Sequence, residues 1–119
     1  MFLPATNIVI YLQKGLLLEP LPVANYAISV ITEMELRSYP AITVSQEQWL
    51  KRFVSDVQVI SLTDLIKEQT IKLRKERLIK LPVAMVCATA MIERAVLLTN
   101  DKKLHDIDGL QYQALELRA

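Results

Sequence analysis

The stretch Ala27-Ile-Ser-Val-Ile-Thr-Glu-Met-Glu-Leu-Arg-Ser38 contains the change of pattern that decides the fold. Ala27–Ile31 is a short, almost continuous apolar run, which is typical of a strand covered on both faces of a parallel sheet. Thr32–Ser38 changes to the spacing of a helix, and Thr32 followed by Glu35 fits a capping box. A buried strand that leads directly into a helix indicates a β–α unit.

The same alternation of apolar runs and helix-period segments extends over the whole chain. Further strands are predicted at Met1–Pro4, Val57–Ile60, Ala95–Leu98 and Tyr112–Leu117. Further helices are predicted at Thr6–Gln13, Gln46–Val54, Asp64–Arg77 and Pro82–Arg94. Their start signals are a capping box of Ser45 with Gln48, an N-cap at Thr63 and a proline at the first helical position, Pro82. Repeated βαβ units predict a three-layer α/β/α fold around a mainly parallel sheet of about five strands.

The composition of the chain fits one folded domain over residues 1–119. Apolar residues make up 52% and charged residues 23%, and a net charge of +1 means that any RNA contact needs a local basic patch. Cys87 is the single cysteine, which excludes an internal disulfide and suits a reducing compartment. Met1–Leu12 lacks the features of a signal peptide, and Leu81–Ile92 is too short to cross a membrane. We therefore expect a soluble cytoplasmic protein.

Residues that follow the predicted strands define the candidate site, because open parallel sheets bind ligands beyond the carboxyl ends of their strands. Two acids, Glu35 and Asp101, occupy such positions. Carboxylates bind Mg²⁺ or Mn²⁺, and such a cation can activate water for phosphodiester hydrolysis. The structural alternative makes Glu35 the capping-box partner of Thr32, and Asp101 the N-cap of a turn at Lys102–His105. The spacing alone leaves both interpretations open.

Four segments of the chain, taken in order, carry a resemblance to a known family. They are Ala5-Thr-Asn7, Ile28-Ser-Val-Ile-Thr-Glu-Met-Glu-Leu36, Leu81-Pro-Val-Ala-Met-Val-Cys-Ala88 and Leu97-Leu-Thr-Asn-Asp-Lys-Lys-Leu104. They resemble Asp-Thr-Asn, Thr-x-x-Glu-Leu, Leu-Pro-Asp-Ala-x-x-Ala-Ala and Leu-x-Thr-x-Asp-x-Asp-Phe of the PIN-domain family. Within that family, the pattern is similar to the VapC-type toxin ribonucleases of toxin–antitoxin modules.

The resemblance implies metal-dependent RNA cleavage by a quartet of acids, of which this chain keeps about half. Glu35 and Asp101 match the family's catalytic and metal-binding acids. Ala5 and Val83 stand where two other acids are expected, and Lys103 stands where many members keep an additional Asp. By the same resemblance, Thr6, Asn7 and Thr99 match residues that orient the acids.

The missing carboxylates predict that Mg²⁺ or Mn²⁺ binding is weak or absent, since even an outer partner of a metal ligand is worth about 10–100-fold in affinity or activity. The leading hypothesis is a catalytically impaired relative of the VapC-type toxins that retains RNA or antitoxin binding. The alternative is an active Mg²⁺- or Mn²⁺-dependent endoribonuclease with a reduced acid set, in which Glu33 or Asp106 substitutes for lost ligands. A third hypothesis is a dimeric interaction module. The family implies a homodimer, and neither DNA nor a membrane is an expected partner.

Other residues allow two interpretations each. Lys72–Lys80 is the one basic cluster and either follows an RNA backbone or forms a solvated helix face with ion pairs at i,i+4 spacing. Trp49 and Phe53, also at i,i+4, predict either a packed helix face or a partner surface. His105 has no partner at metal-ligand spacing, so we expect a structural role for it. Cys87 is expected to pack as a small apolar residue.

Overall fold

Short parallel strands alternate with α-helices throughout the computed structural model, which describes residues 1–119. The strands are β1 (Phe2–Pro4), β2 (Ala27–Ser29), β3 (Gln58–Ile60), β4 (Val96–Leu98) and β5 (Tyr112–Gln113). The α-helices are α1 (Thr6–Gln13), α2 (Val30–Arg37), α3 (Val44–Asp56), α4 (Asp64–Glu76) and α5 (Leu81–Ile92), and a 3₁₀ turn covers Lys102–Leu104. None of these helices combines the length and apolar character needed to cross a bilayer.

The strands run parallel in the order β3-β2-β1-β4-β5. Hydrogen-bonded ladders join β1 to β4, β4 to β5 and β2 to β3. The two parts meet where Phe2 pairs with Tyr26 and the Phe2 N–H donates to the Asn25 carbonyl at 3.0 Å. The predicted parallel α/β fold is therefore confirmed. The order reverses between β1 and β4, which is where sheets of this kind form a ligand crevice.

Two apolar cores cover the sheet. The larger core joins α4 and α5 to strand residues such as Leu3 and Leu97, both of which are fully buried. The smaller core contains Val9, Leu36 and Leu50, one each from α1, α2 and α3. Trp49 and Phe53 stack with ring centroids 5.3 Å apart and pack against this smaller core. That packing favours the packed-face interpretation of the pair.

Two predicted helix starts are wrong by two residues, in both cases because another hydroxyl caps the helix. In addition, α5 begins at Leu81, one residue before the predicted start at Pro82. β2 ends at Ser29, whose hydroxyl accepts a hydrogen bond from the Ile31 N–H at 3.1 Å, so that α2 begins before Thr32. Thr43 and Gln46 form the capping box of α3, with side-chain to backbone distances of 3.1 and 3.0 Å. The helix therefore begins two residues before Gln46, the predicted start. The predicted cap at Thr63 is confirmed, since its hydroxyl accepts from the Ile66 N–H.

The last strand is shorter than predicted. β5 ends at Gln113, and the segment after it turns to a different neighbour. Leu117 pairs antiparallel with Leu17, and the Arg118 N–H donates to the Leu16 carbonyl at 2.8 Å. The apolar residues up to Leu117 thus belong to two different pairings rather than to one strand.

Candidate functional site

A cleft of about 600 Å³ opens at the carboxyl ends of β1 and β4, where the strand order reverses. It gathers residues from β4, from α1, α2 and α5, and from the segments that follow β1, α2 and β4. Among the residues that line it are Ala5, Thr6, Asn7, Glu35, Val83, Thr99 and Asp101. Lys103 is exposed on the 3₁₀ turn and does not line the cleft. The sheet thus brings together seven of the eight sequence-predicted positions, which come from four separate segments of the chain.

Glu35 is held by the first turn of α1. The Thr6 hydroxyl donates to Oε1 of Glu35 at 2.7 Å, a distance typical of a strong hydrogen bond to an ionised carboxylate. The same hydroxyl oxygen lies 3.3 Å from that of Thr32, which is fully buried. The interpretation of Glu35 as a capping-box partner of Thr32 is therefore wrong. The structure uses Glu35 to link α2 to α1.

Asp101 caps the 3₁₀ turn, as its structural interpretation predicted. Its Oδ1 accepts from the Lys103 N–H at 3.0 Å, while its own N–H donates to the buried Thr99 hydroxyl at 3.1 Å. His105, at the end of the turn, places its Nε2 3.3 Å from the Thr99 carbonyl and stacks on Tyr112 with centroids 3.9 Å apart. These contacts fix the loop that carries Asp101 and give His105 a structural role.

The floor of the cleft is hydrocarbon at the two positions where acids were expected. Ala5 and Val83 are half-buried and pack against the larger core. Ala5 is also the N-cap residue of α1, and that helix has no side-chain cap. Neither side chain can coordinate a cation, so these residues do not complete the acid set.

The remaining donors do not fit a resident Mg²⁺ or Mn²⁺ ion. Such an ion requires several oxygen ligands in near-octahedral geometry, and no group of three or more His, Cys, Asp or Glu residues lies close enough to hold a metal. Glu35 and Asp101 each already accept a hydrogen bond from the protein. Glu33 pairs with Arg37 and Asp106 with Arg77, at 3.2 and 2.8 Å, and neither acid lines the cleft. These two acids, the candidate substitutes for the lost metal ligands, are thus paired with arginines outside the cleft.

Sequence reasoning missed Asn100, which lines the cleft between Thr99 and Asp101. Its side-chain amide donates to the Leu115 carbonyl at 2.9 Å and its Oδ1 accepts from the Leu115 N–H at 2.8 Å. The amide thereby takes the place of a strand backbone and ties the cleft to the C-terminal segment. The contact joins residues 15 positions apart, so no local pattern signalled it.

Cys87 lies beneath the cleft and is fully buried, as expected for a small apolar residue. Burial, followed by the charge of Asp101, raises the pKa of its thiol from an ordinary 9.0 to about 12, while Arg77 acts in the lowering direction. Because the folded pKa lies above the unfolded pKa, the unfolded state releases the thiol proton first as pH rises. The thiol's contribution to stability is therefore present below pH 9.0 and is lost between 9.0 and about 12.

We expect the Cys87→Ala variant to lose that pH dependence. Between about pH 9 and pH 10, the thiol lowers the wild-type free energy of unfolding by about 1 kcal/mol, and the variant lacks this contribution. Urea denaturation of both proteins at several pH values measures the difference, in which the titration of all other groups cancels. Parallel stability curves for the two proteins across this range would contradict the raised pKa.

Fold and cleft together define an α/β protein with a ligand crevice at the reversal of its sheet and a partial acid set within it. A toxin–antitoxin complex from Klebsiella pneumoniae contains a chain 35% identical to this one, with a TM-score of 0.75 over 92% of this chain and 95% of that one. A VapBC-1 structure from nontypeable Haemophilus influenzae matches at 24% identity and TM-score 0.76, over 95% and 96% of the two chains. VapBC2 from Rickettsia felis, bound to a promoter DNA fragment, matches at 20% and 0.78, over 97% and 98%.

The chain belongs to the PIN-domain family of VapC-type toxins. The resemblance seen in its four sequence segments is thereby confirmed. The Haemophilus and Rickettsia structures, both under 25% identical, support the shared fold alone. No protein-family model and no curated protein matches the chain.

Proposed function

We propose that this chain is a VapC-type protein that has lost metal-dependent ribonuclease activity and acts by binding an antitoxin. One observation carries the first half of the proposal: the cleft presents Ala5 and Val83 at the two positions where acids are needed. Without them, the cleft keeps two carboxylates, and no group of three or more His, Cys, Asp or Glu residues lies close enough to hold a divalent cation. In this proposal, Glu35 and Asp101 act mainly to fasten α2 to α1 and to cap the 3₁₀ turn.

The proposed partner follows from family membership. The 35%-identical relative is described as part of a toxin–antitoxin complex, and the present chain covers 95% of it. We infer the same kind of partner for this chain, and propose that it works as a homodimer in the cytoplasm. The unpaired thiol of Cys87 suits that reducing compartment.

A second candidate function is an active endoribonuclease that uses Mg²⁺ or Mn²⁺ with a reduced acid set. The observation that favours it is the shared cleft of Glu35 and Asp101, beside the hydrogen-bonding residues Thr6 and Thr99. In that case Glu35 serves as a metal ligand and Asp101 as a ligand or water-orienting group. Thr6, Asn7 and Thr99 would then orient the site.

Incubation of the purified protein with a mixed RNA pool and Mn²⁺, with and without EDTA, separates these two candidates. We expect no EDTA-sensitive cleavage, and a thermal unfolding midpoint that Mn²⁺ leaves unchanged, because a ligand stabilises a protein only if it binds the native state. EDTA-sensitive cleavage, accompanied by a higher midpoint with Mn²⁺, would establish the second candidate instead.

The antitoxin half is tested separately with the antitoxin of the Klebsiella pneumoniae complex as the probe. We expect it to co-elute with this chain on size exclusion at micromolar concentration. A chain that elutes alone, also in the presence of the protein encoded beside its own gene, would contradict the antitoxin proposal. That result would leave the loss of nuclease activity untouched.

A further inference from the structure

The segment Leu115–Arg118, which we call the C-terminal strap, is fastened to both walls of the cleft. One wall is the loop after β4, where the side-chain amide of Asn100 exchanges two hydrogen bonds with the backbone of Leu115, at 2.9 and 2.8 Å. The other wall is α1, and the strap pairs with the residues that directly follow this helix. Four consecutive residues thus connect the two sides of the cleft.

The connection to α1 is made by hydrogen bonds to backbone carbonyls. The Arg118 N–H donates to the Leu16 carbonyl at 2.8 Å. The Leu16 N–H in turn donates to the carbonyl of Tyr11 at 2.9 Å, and Tyr11 lines the cleft. The Arg118 side chain adds a bond from Nε to the Leu17 carbonyl at 3.2 Å. Arg118 is therefore the residue through which the strap holds the wall formed by α1.

Gly15 directs the chain from α1 toward the strap. It follows the C-cap residue Lys14 and has a φ of 69°, a left-handed conformation that glycine adopts without strain. The next residues run antiparallel to the strap, and the Leu18 N–H donates to the Glu116 carbonyl at 2.9 Å. A side chain at position 15 would meet no neighbouring atom, so the glycine serves the turn and not close packing.

The strap buries little apolar surface. Leu115 is half-buried, and the three residues after it are exposed. Its attachment therefore depends on the hydrogen bonds to Asn100 and to the residues after α1. Segments with few buried contacts and exposed hydrogen bonds open locally at a lower free-energy cost than global unfolding. We therefore expect the strap to detach while both apolar cores stay intact.

The loop that the strap holds lies next to a buried thiol. Asp101 directly follows Asn100, and its charge is one cause of the raised pKa of Cys87. Leu104, further along the same loop, lines the cleft and belongs to the core cluster that contains Cys87. The thiol itself is fully buried. Movement of the loop away from α1 would uncover Cys87 from the side of the cleft.

The far end of the loop is fastened independently of the strap. Arg77 pairs with Asp106 at 2.8 Å, which holds that end against α4. His105 stacks on Tyr112 of β5, with ring centroids 3.9 Å apart. Detachment of the strap therefore frees the end of the loop that carries Asn100, while the other end stays fixed and acts as a hinge.

We propose that the C-terminal strap is a release device for the cleft: when it detaches from Asn100 and Leu16, the loop after β4 moves apart from α1 and the cleft opens as far as Cys87. The attached strap keeps Asp101 at a fixed separation from the wall that carries Glu35. A ligand that bridges the two walls therefore favours the attached state. The proposal does not depend on whether the cleft has nuclease activity.

Alkylation of Cys87 by iodoacetamide in native buffer at about pH 8 measures the opening, because the chain has no other cysteine. Mass spectrometry of the full-length chain gives the rate. Arg118→Pro removes both hydrogen bonds that this residue donates, and we expect alkylation to be about 10–30-fold faster than in the wild type. Arg118→Ala removes only the bond to the Leu17 carbonyl, so we expect it to be about three- to fivefold faster.

Thr43→Ala is the matched control, because it destabilises the fold away from the cleft. It removes the side-chain cap of α3, which changes the ratio of folded to unfolded protein by about fivefold. We expect its alkylation rate to equal that of the wild type, since the strap opens without unfolding α3. Equal acceleration in Thr43→Ala and Arg118→Ala would show that global unfolding exposes the thiol, and would overturn the proposal.

Two further measurements decide the question even if Arg118→Pro does not fold. About 1 M urea should raise the wild-type rate by less than about threefold, since local release exposes little surface, whereas a rise of about tenfold or more would indicate global unfolding. In Leu17→Cys, Leu117→Cys, a disulfide across this antiparallel pair locks the strap in place. The oxidised variant should alkylate at Cys87 at least about tenfold more slowly than the wild type. An unchanged rate would refute the strap as the release device.

Discussion

The double variant Ala5→Asp, Val83→Asp is expected to bind Mn²⁺ at least about 100-fold more tightly than the wild-type chain. Both positions line the cleft that holds Glu35 and Asp101, so two added carboxylates would raise the acid set from two to four. We expect EDTA-sensitive cleavage of a mixed RNA pool to appear in the variant and to be absent from the wild type.

The two substitutions have different costs for folding. Ala5 is the N-cap of α1, where aspartate stabilises a helix by about 1 kcal/mol relative to alanine. Val83 is half-buried against the larger core, where a carboxylate costs about 1–3 kcal/mol in desolvation. The metal-free variant should therefore unfold at a somewhat lower temperature than the wild type. Mn²⁺ at about 100 times its Kd then adds about 2.7 kcal/mol.

Isothermal titration with Mn²⁺ and thermal unfolding with and without the ion measure these changes. The matched control is Ala5→Asn, Val83→Asn, which has nearly the same shape but no added charge, and it should gain neither metal affinity nor cleavage. A double aspartate variant that folds and still fails to bind Mn²⁺ would mean that the loss of these two acids does not explain the absence of metal binding. Tight Mn²⁺ binding by the wild type would contradict the proposal directly.

The positions of the site residues were predictable because the carboxyl ends of parallel strands lie at the same edge of the sheet. Short apolar runs located every strand, and the residues after β1, β2 and β4 could be placed together before any contact was known. The pattern could not show the partner of each acid. Glu35 had a local partner available in Thr32, but its actual donor is Thr6, 29 residues away in the chain.

The predicted element boundaries are wrong where the sequence offers more than one residue that could cap a helix. Thr43 with Gln46 and Ser45 with Gln48 are equally good capping patterns, and the chain uses the first. Ser29 lies inside an apolar run that looks like a continuous strand, yet its hydroxyl ends that strand by capping α2. The predicted strand to Leu117 is wrong for a different reason. Its backbone pairs with distant groups, the Asn100 side chain and Leu17, instead of continuing the ladder with β4.

That role of Asn100 leads to the second large expected effect: Asn100→Leu should lower the free energy of unfolding by about 2–4 kcal/mol. The substitution keeps the number and branching of the side-chain heavy atoms but removes both hydrogen bonds to Leu115, at 2.9 and 2.8 Å. The Leu115 N–H and carbonyl are then left without partners in a half-buried position. For a domain of this size the loss corresponds to a fall of about 10 °C in the unfolding midpoint.

A graded series shows whether the paired amide is responsible. Asn100→Asp keeps an acceptor for the Leu115 N–H but loses the donor, so we expect about half of the leucine effect. Asn7→Leu is the matched control, since Asn7 lines the same cleft, is exposed and makes no side-chain hydrogen bond. Chemical denaturation of the three variants measures the series. Asn100→Leu within about 0.5 kcal/mol of Asn7→Leu would show that the amide is dispensable.

Amide hydrogen exchange distinguishes local loosening from a uniform loss of stability. Because Asn100 joins the cleft loop to Leu115, its removal should speed exchange first in the segment from Tyr112 to Arg118 and in the Asp101 loop. The ladder between β1 and β4 should keep its protection, since none of its hydrogen bonds involves Asn100. Exchange that rises equally in β1 would instead show that Asn100 stabilises the whole domain. The C-terminal segment would then not unfold independently of the rest of the fold.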